Sequence, residues 1–356
     1  MQGVDVDISK VLDEYGKKVK QELERFIPRK FDERTLSSLL GEPLYKYELE
    51  SINKSILQPF WDLIDRGGKR WRPALMLIVY EALGGDIEEI LPLTIIPETI
   101  HNGTLAVDDV EDDSDFRRGK PCIHKIYGVD VAINMGNTMY FLPLLILSKI
   151  NIPEHKKMRI LEEYVKTMVE LSFGQAMDIA WHRGLVDEID EEQYLQMTLF
   201  KTGTLARFSI KIATIMADAS KEVEEIFSRF GESIAIAFQI QDDILNIVGD
   251  ESKYGKEIGG DIKEGKRTLV VVRALKSLPK ERADRLKEIL NMRTGNPELI
   301  KEAITLIKES GSIEYARSFC NQLVSKAWSQ LENVLKDSRA KKNLKALADF
   351  LIMREY

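Results

Sequence analysis

The sequence predicts an all-α protein, one domain of many helices, on three observations. Apolar residues recur at three- and four-residue intervals along most of the chain, the spacing that keeps one helix face buried. Alternating, strand-like runs are nearly absent; Thr268 to Val272 is the only β-branched run, and it is short. Glycine and proline fall between the apolar stripes, at Gly67-Gly68, Gly84-Gly85, Gly119-Lys120-Pro121, Gly259-Gly260 and Gly295-Asn296-Pro297.

Taken in order, Ile8, Val11, Leu12, Tyr15, Val19, Leu23 and Phe26 predict a helix within residues 5–27, and residues 1–50 read as a helical amino-terminal extension. Stripes follow over 48–65, 72–84, 154–181, 189–200, 205–217, 221–249, 279–291, 296–309, 311–336 and 340–353. The apolar run from Ile95 to Val107 predicts a helix rising from the core to a cavity. The most apolar segment, Met139 to Ile150, contains Pro143 and falls short of the roughly 20 residues a bilayer span needs, so it reads as buried core and no transmembrane segment is expected. Neither an internal repeat nor a flexible linker divides the chain, so 1–356 reads as a single domain.

With 356 residues, 44% hydrophobic and 31% charged, the chain can bury a sizeable core, which excludes a collagen-like or largely disordered protein. A formal charge of −7 argues against a general nucleic-acid binder; any anionic ligand must be met by a local cluster of positive charge. Two cysteines, Cys122 and Cys320, are too few for a disulfide framework or a Cys-based zinc site. The opening MQGVDVDISKVLDEYGKK lacks the basic-then-apolar pattern of a secretory signal, so the expected location is cytoplasmic and the sequons at Asn53 and Asn102 carry no meaning.

The decisive segment is HNGTLAVDDVEDDSDFRRG, His101 to Gly119. Asp108 and Asp112 are four apart, one turn on one helix face, where like charges repel unless water or a cation relieves them. A lone acidic run is often just a solvated helix end. A second one, Phe238-Gln239-Ile240-Gln241-Asp242-Asp243-Ile244-Leu245-Asn246, again ends an apolar helix with oxygen groups at i and i+4. Two such helix ends can hold hard divalent ions between them, and open all-oxygen sites suit Mg²⁺ completed by water and phosphate. A di-iron bundle would need Glu-x-x-His repeats, and none of the four histidines sits in one. Glycine-associated cations, Gly67-Gly68-Lys69-Arg70-Trp71-Arg72, Arg117-Arg118, Lys201-Thr202-Gly203, Lys256 and Lys266, could neutralise a diphosphate, although any one alone is commonly a solvated surface charge. Gly260 to Arg267 nearly spells a P-loop, but Arg267 stands where Ser or Thr is required and no strand precedes it; a phosphate-contacting basic loop remains.

Together these motifs resemble the trans-isoprenyl diphosphate synthases, from about residue 60 onward: GGKRWRP, DDVEDDSDFRRGKP, GQAMD, KTGTL, FQIQDD and GKEIGGDIKEGKRT, in the family's order. The resemblance implies the isoprenoid synthase type I fold, a helical bundle around a deep cavity, in a homodimer. It implies head-to-tail condensation of isopentenyl diphosphate with an allylic diphosphate (dimethylallyl, geranyl or farnesyl) by ionisation, condensation and elimination. Asp108, Asp112 and Asp242 would bind Mg²⁺, three ions being usual in the family. Lys69, Arg72, His101 and Arg118 match the isopentenyl diphosphate contacts; Arg117, Lys201, Thr202, Gln239 and Lys256 match the allylic ones, with Lys266 close by, and Gly68 is read as substrate-binding. Thr202, Gln239 and the Lys201 carbonyl would stabilise the allylic cation. Three positions depart from the family: Val107 where many members have His, Asn246 for the last carboxylate of the second motif, and Ser172 where a bulkier residue is common.

Product length in this family is set by a bulky floor beneath the first Asp motif. Gly103 and Thr104 are small, and the next helix offers Tyr140 and Phe141 as the floor, so a C20 product, geranylgeranyl diphosphate, is expected, with C25 or longer and C15 as alternatives. The same reading expects Gly103→Phe to fill an open wall and shorten the product. A class I terpene cyclase is disfavoured by GGKRWRP and the second Asp pair, and a non-catalytic prenyltransferase subunit by the retention of Asp108, Asp109, Asp112, Asp242 and Asp243.

Overall fold

A computed structural model describes residues 6–186, 188–249 and 258–352. The first helix, α1 (Ile8–Phe26), starts where Asp7 accepts the backbone N–H of Lys10, and its stripe through Val11, Tyr15, Val19 and Leu23 is buried. It packs against the helix Trp71–Ala82 and the carboxyl-terminal helix Arg339–Ile352, so its apolar face joins the same core as the rest of the chain. The next helices are α2 (Glu33–Leu40), α3 (Leu49–Ile52), α4 (Gln58–Asp65, joined to α3 by a π-turn at Asn53–Leu57) and α5 (Trp71–Ala82). Then come α6 (Ile87–Ile90), α7 (Ile95–Glu111), α8 (Ile123–Tyr127), α9 (Val129–Phe141) and the long α10 (Glu154–His182). A capping box of Asp190 and Gln193 opens α11 (Glu191–Thr198), which runs through a π-turn at Leu199–Gly203 into α12 (Thr204–Met216), and α13 follows (Lys221–Val248).

Helices α5, α7, α10, α12 and α13 form the centre: α12 packs on α5, α10 and α13, and α13 lies along the helix Ser312–Glu332. A two-residue antiparallel ribbon, Phe116–Arg117 against Lys120–Pro121, is the one sheet among the described residues. Its turn, Arg118-Gly119, has positive φ at both residues (52° and 73°), which fits the twist of a tight hairpin.

The β-branched run Thr268 to Val272 caps and begins a helix, Leu269–Ser277. No strand lies beside it among the described residues, while Val270, Val271 and Ala274 are buried and the helix packs on Ser312–Glu332; burial overrides β-propensity. The apolar segment Met139 to Ile150 is not uniformly core. It leaves α9 into a 3₁₀ stretch, Leu142–Ser148, with Met139, Ile146 and Leu147 buried but Phe141 65% exposed. Among the described residues Val129–Ser148 is the one stretch long and apolar enough, by length and composition only, to cross a membrane.

Candidate active site

Helix α7 carries Asp108 in its last turn and ends on Asp112, its C-cap, whose backbone N–H still bonds the Asp108 carbonyl, so the two stand one turn apart. Lys201 reaches them from the π-turn between α11 and α12, its Nζ 3.0 Å from Asp108 Oδ1 and 2.5 Å from Asp178 Oδ2 of α10. A π-turn widens the helix by one residue and commonly marks a functional site. Gly174 makes this approach possible: a Cβ there would lie 2.5 Å from the Lys201 backbone nitrogen. Gln175 Nε2 donates to Asp108 Oδ1 (2.8 Å) and Glu111 Oε2 (2.7 Å). Lys266, in the loop after the short helix Gly260–Glu264, donates to Asp112 Oδ2 at 2.8 Å. The sequence from Gly260 to Arg267 is thus a short helix followed by a basic turn that contacts the first acidic cluster.

Burial pushes the Asp108 carboxyl upward, but Lys201, Lys266 and Arg117 outweigh it and hold that group far below the usual carboxylate range. Asp112 goes the other way, to about 6, because burial and the neighbouring Asp108 charge raise it more than Lys266 lowers it. Asp112 Oδ1 is also buried without a hydrogen-bond partner among the described residues. That orphaned oxygen, with hard oxygen donors on one helix face, fits a divalent cation. Among the described residues no group of three His, Cys, Asp or Glu side chains is placed to ligate one ion. Asp242 lies half-buried on α13, three residues after Gln239. Asn246, buried, spends its Oδ1 on the backbone N–H of Asp261 (3.0 Å), so it anchors the Gly260 loop to α13.

On the same wall Arg117 grips the fully buried Asp109 through Nε (3.0 and 3.2 Å) and Nη2, with Asp108 Oδ2 4.0 Å away. Thr202 Oγ1 donates to Gln239 Oε1 (3.1 Å), Gln239 Nε2 to Asp243 Oδ1 (3.0 Å), and the Tyr194 hydroxyl to Asp243 Oδ2 (2.6 Å).

A second charged region has the opposite character. Gly68, with φ 128°, leaves room for the Arg118 guanidinium, which a Cβ would meet at 3.1 Å. Arg118 also donates to the Leu63 carbonyl (3.1 Å), and Arg72 Nη1 lies 3.4 Å from His101 Nε2. Burial lowers Arg72 to about 10 and pulls Arg118 down too, with Glu98 opposing in both cases. His101 is held well below its ordinary value by burial and by Arg72, Arg118 and Arg117, so it is neutral. Lys69 stands over the Phe350 ring, 4.2 Å from its centre. A buried and a half-buried guanidinium that share one carboxylate suit an anion.

The chain-length positions are only partly as expected. Gly103 does not line an open wall: it is the crossing point of α7 and α9, where a Cβ would lie 2.8 Å from the Gly136 carbonyl oxygen and 3.0 Å from Met139 Cβ. A phenylalanine there would strike backbone, not fill a channel. Phe141 points away from the interior, 65% exposed, and is no floor within this chain. Tyr140 does pack beneath α7, its Cε1 3.2 Å from the Gly103 Cβ position, with its backbone carbonyl held by the Tyr164 hydroxyl (2.9 Å). Thr104 is half-buried and bonds its own helix at the His101 carbonyl (2.8 Å). Ser172 and Phe173 lie exposed on the outer face of α10. Lys256 falls outside the described residues.

The family model described as polyprenyl synthetase matches residues 53–307. The chain belongs to the polyprenyl synthetase family. It is 41% identical over 296 residues (83% of this chain, 88% of the relative) to the short chain isoprenyl diphosphate synthase of Methanocaldococcus jannaschii. It is 34% identical over 294 residues (83% and 88%) to the geranylgeranyl diphosphate synthase of Methanosarcina mazei. Among solved structures, geranylgeranyl pyrophosphate synthetase from Pyrococcus horikoshii superposes with a TM-score of 0.84 at 31% identity, covering 98% of this chain and 99% of the other. This family member is therefore an isoprenyl diphosphate synthase, a prenyltransferase that elongates prenyl chains on the all-α isoprenoid synthase fold.

Sequence reasoning passed over Asp178, Gln175, Asp109, Asp243 and Tyr194 as site residues. The first four stand inside motifs it quoted, GQAMD, DDVEDD and FQIQDD, so helical spacing from the neighbouring residues was a usable signal. Tyr194 had no such signal, since only the fold brings α11 against α13.

Proposed function

We propose that this enzyme condenses isopentenyl diphosphate with an allylic diphosphate, dimethylallyl, geranyl or farnesyl, and releases geranylgeranyl diphosphate. One observation carries the proposal: two opposite charge environments along α7, a carboxylate wall laced with lysines at its carboxyl end and a cluster of shielded guanidiniums beside Glu98 and His101. Asp108, Asp112 and Asp242 are the carboxylates we assign to Mg²⁺, three ions per site. Bound there, the ions supply charge neutralisation to the leaving diphosphate oxygen.

The chain's own groups do the rest. Lys201, Lys266 and Arg117, with Lys256, hold the allylic diphosphate. Oxygen dipoles of Thr202, Gln239 and the Lys201 carbonyl face the allylic carbon as it becomes positive. Gly68 lets Arg118 approach, and Arg118, Arg72, Lys69 and His101 fix isopentenyl diphosphate so that its double bond meets that carbon. Water must be kept from the reacting carbon, because it would quench the cation. The proton lost afterwards goes to the departing diphosphate, so no protein base is required.

Tyr140 is the floor we assign, since it packs on α7 at Gly103, on the core side of the carboxylates. A C25 product is the second reading, favoured by relatives from Natronomonas pharaonis (31% identical) and Aeropyrum pernix (32% identical) that are named geranylfarnesyl diphosphate synthases. We assign the chain to a single catalytic domain working in the cytoplasm as a homodimer. An exposed stripe on α10, Leu161, Val165, Val169 and Phe173 at four-residue spacing, supports the dimer, and two buried free cysteines are in keeping with a reducing compartment. The test is incubation with isopentenyl diphosphate, each primer and Mg²⁺, followed by product chromatography. Wild type is expected to stop at C20 and Tyr140→Ala to run past it; a terminal C25 product from wild type selects the second reading.

A further inference from the structure

The chemistry assigned to Gln239 depends on which end of its amide faces the cavity. A carbonyl oxygen stabilises a developing cation; an NH₂ group turned the same way repels it. The two ends are nearly alike in shape, so packing alone cannot choose between them, and a hydrogen-bond partner must.

That partner is built from residues outside the reacting centre. Asp243, one turn beyond Gln239 on α13, is 5% exposed and accepts the Gln239 Nε2–H at 3.0 Å. Its other oxygen accepts the hydroxyl of Tyr194 at 2.6 Å. Tyr194 comes from α11 and is 1% exposed, among the largest fully buried side chains in the molecule. A tyrosine hydroxyl has one proton, and here it is committed to Asp243. The carboxylate therefore presents an acceptor to Gln239, and only the NH₂ end of the amide can face it. A flipped amide would set oxygen against oxygen and leave a buried acceptor unmet. With Nε2 fixed, Oε1 turns to Thr202, whose Oγ1 donates to it at 3.1 Å. The chain Tyr194, Asp243, Gln239, Thr202 thus runs from a dry helix interface to the π-turn that carries Lys201.

We propose that Tyr194 is a positioning residue for the condensation: through Asp243 it locks the Gln239 amide with its oxygen toward the allylic carbon. This rests on the assignment of Gln239 above. A tyrosine needed only to fill the α11–α13 interface could be phenylalanine; the hydroxyl is needed for orientation.

The experiment is a double-mutant cycle of Tyr194→Phe and Gln239→Ala in the full-length enzyme, with single-turnover rates and steady-state constants for both diphosphates. Tyr194→Phe should lower kcat about tenfold to a hundredfold, the usual cost of losing a supporting hydrogen bond. Both Michaelis constants and the Mg²⁺ concentration for half activity should stay at wild-type values. In the Gln239→Ala background, Tyr194→Phe should have no further effect, because the group it orients is gone. Multiplicative effects, or an unchanged kcat in folded Tyr194→Phe, overturn the inference. A shifted Mg²⁺ requirement overturns it too, by showing that the hydroxyl acts through Asp242. Should Tyr194→Phe not fold, Asp243→Ala breaks the same link from the other end and must show the same non-additivity. A wild-type rate in Gln239→Ala refutes the assignment of Gln239 itself, which separates that failure from the others.

Discussion

The carboxylate wall and the guanidinium pocket share helix α7 yet solve opposite electrostatic problems. On the wall, Lys201 and Lys266 sit on Asp108 and Asp112, and Arg117 is paired with Asp109 through Nε and Nη2. In the pocket, Arg70, Arg72 and Arg118 share Glu98 as their buried counter-charge, and His101 is neutral. The pocket therefore holds positive charge in waiting and can take a bare diphosphate. The wall cannot: its carboxylates repel an anion until cations bridge the two. A chain of net charge −7 binds two diphosphates because the charge is partitioned locally, not because it is basic.

The largest effect should come from emptying the wall. Asp108→Ala removes a metal-binding carboxylate worth several kcal/mol of charge stabilisation, so turnover should fall about a thousandfold or more, as excess chelator should also do. A wild-type rate in either case breaks the comparison at its stronger side.

Next is Gly174→Ala. Its methyl would meet the Lys201 backbone at 2.5–2.9 Å, so the π-turn must move. A displacement of roughly 1 Å at a catalytic group can cost about a hundredfold, and kcat should drop by that order in a protein whose far-ultraviolet circular dichroism is unchanged.

Arg118→Ala and Arg117→Ala sharpen the contrast. Arg118→Ala should raise the Michaelis constant for isopentenyl diphosphate about tenfold to a hundredfold, the loss of a charge-assisted contact of about 1.5–3 kcal/mol. Arg117→Ala should act on the allylic side and also lower stability by about 3–5 kcal/mol, because Asp109 is left buried and unpaired. Equal effects on both Michaelis constants would mean that the regions are not separate subsites.

The smallest effect is a null in pH. His101 is already neutral in the fold, so the Michaelis constant for isopentenyl diphosphate should show no His101 titration between pH 8 and 6.5. Its stability contribution has a definite sign. The unfolded chain takes up a proton near pH 6.5 that folded His101 refuses, so this histidine's contribution is present above that pH and lost below it, measurable by denaturant titration.

Helical spacing made most of the fold legible. The stripes at 72–84, 154–181 and 221–249 correspond to Trp71–Ala82, Glu154–His182 and Lys221–Val248, because each has an apolar face and a clear stop. Short elements escaped: α2 buries only Leu36 and α8 is a single turn or so, so neither shows an apolar stripe, and Leu269–Ser277 is helical through tertiary burial. At the site, residues in local motifs were readable, since a motif encodes its own spacing. Contacts between distant helices were not. Gly103 looked like free space in sequence, and only the crossing of α7 on α9 reveals that the absent side chain is the place where two backbones meet. Phe141 misled for the same reason, since its direction depends on how α9 is rotated.

The most direct test of opposite electrostatics is calorimetric titration of the resting enzyme with isopentenyl diphosphate, and separately with a non-ionising thio analogue of the allylic diphosphate, each with Mg²⁺ and with excess chelator. The account predicts that isopentenyl diphosphate binds in both conditions with similar affinity, whereas the allylic analogue binds only with Mg²⁺. Allylic binding undiminished in chelator, or isopentenyl diphosphate binding that vanishes with the metal, would contradict it.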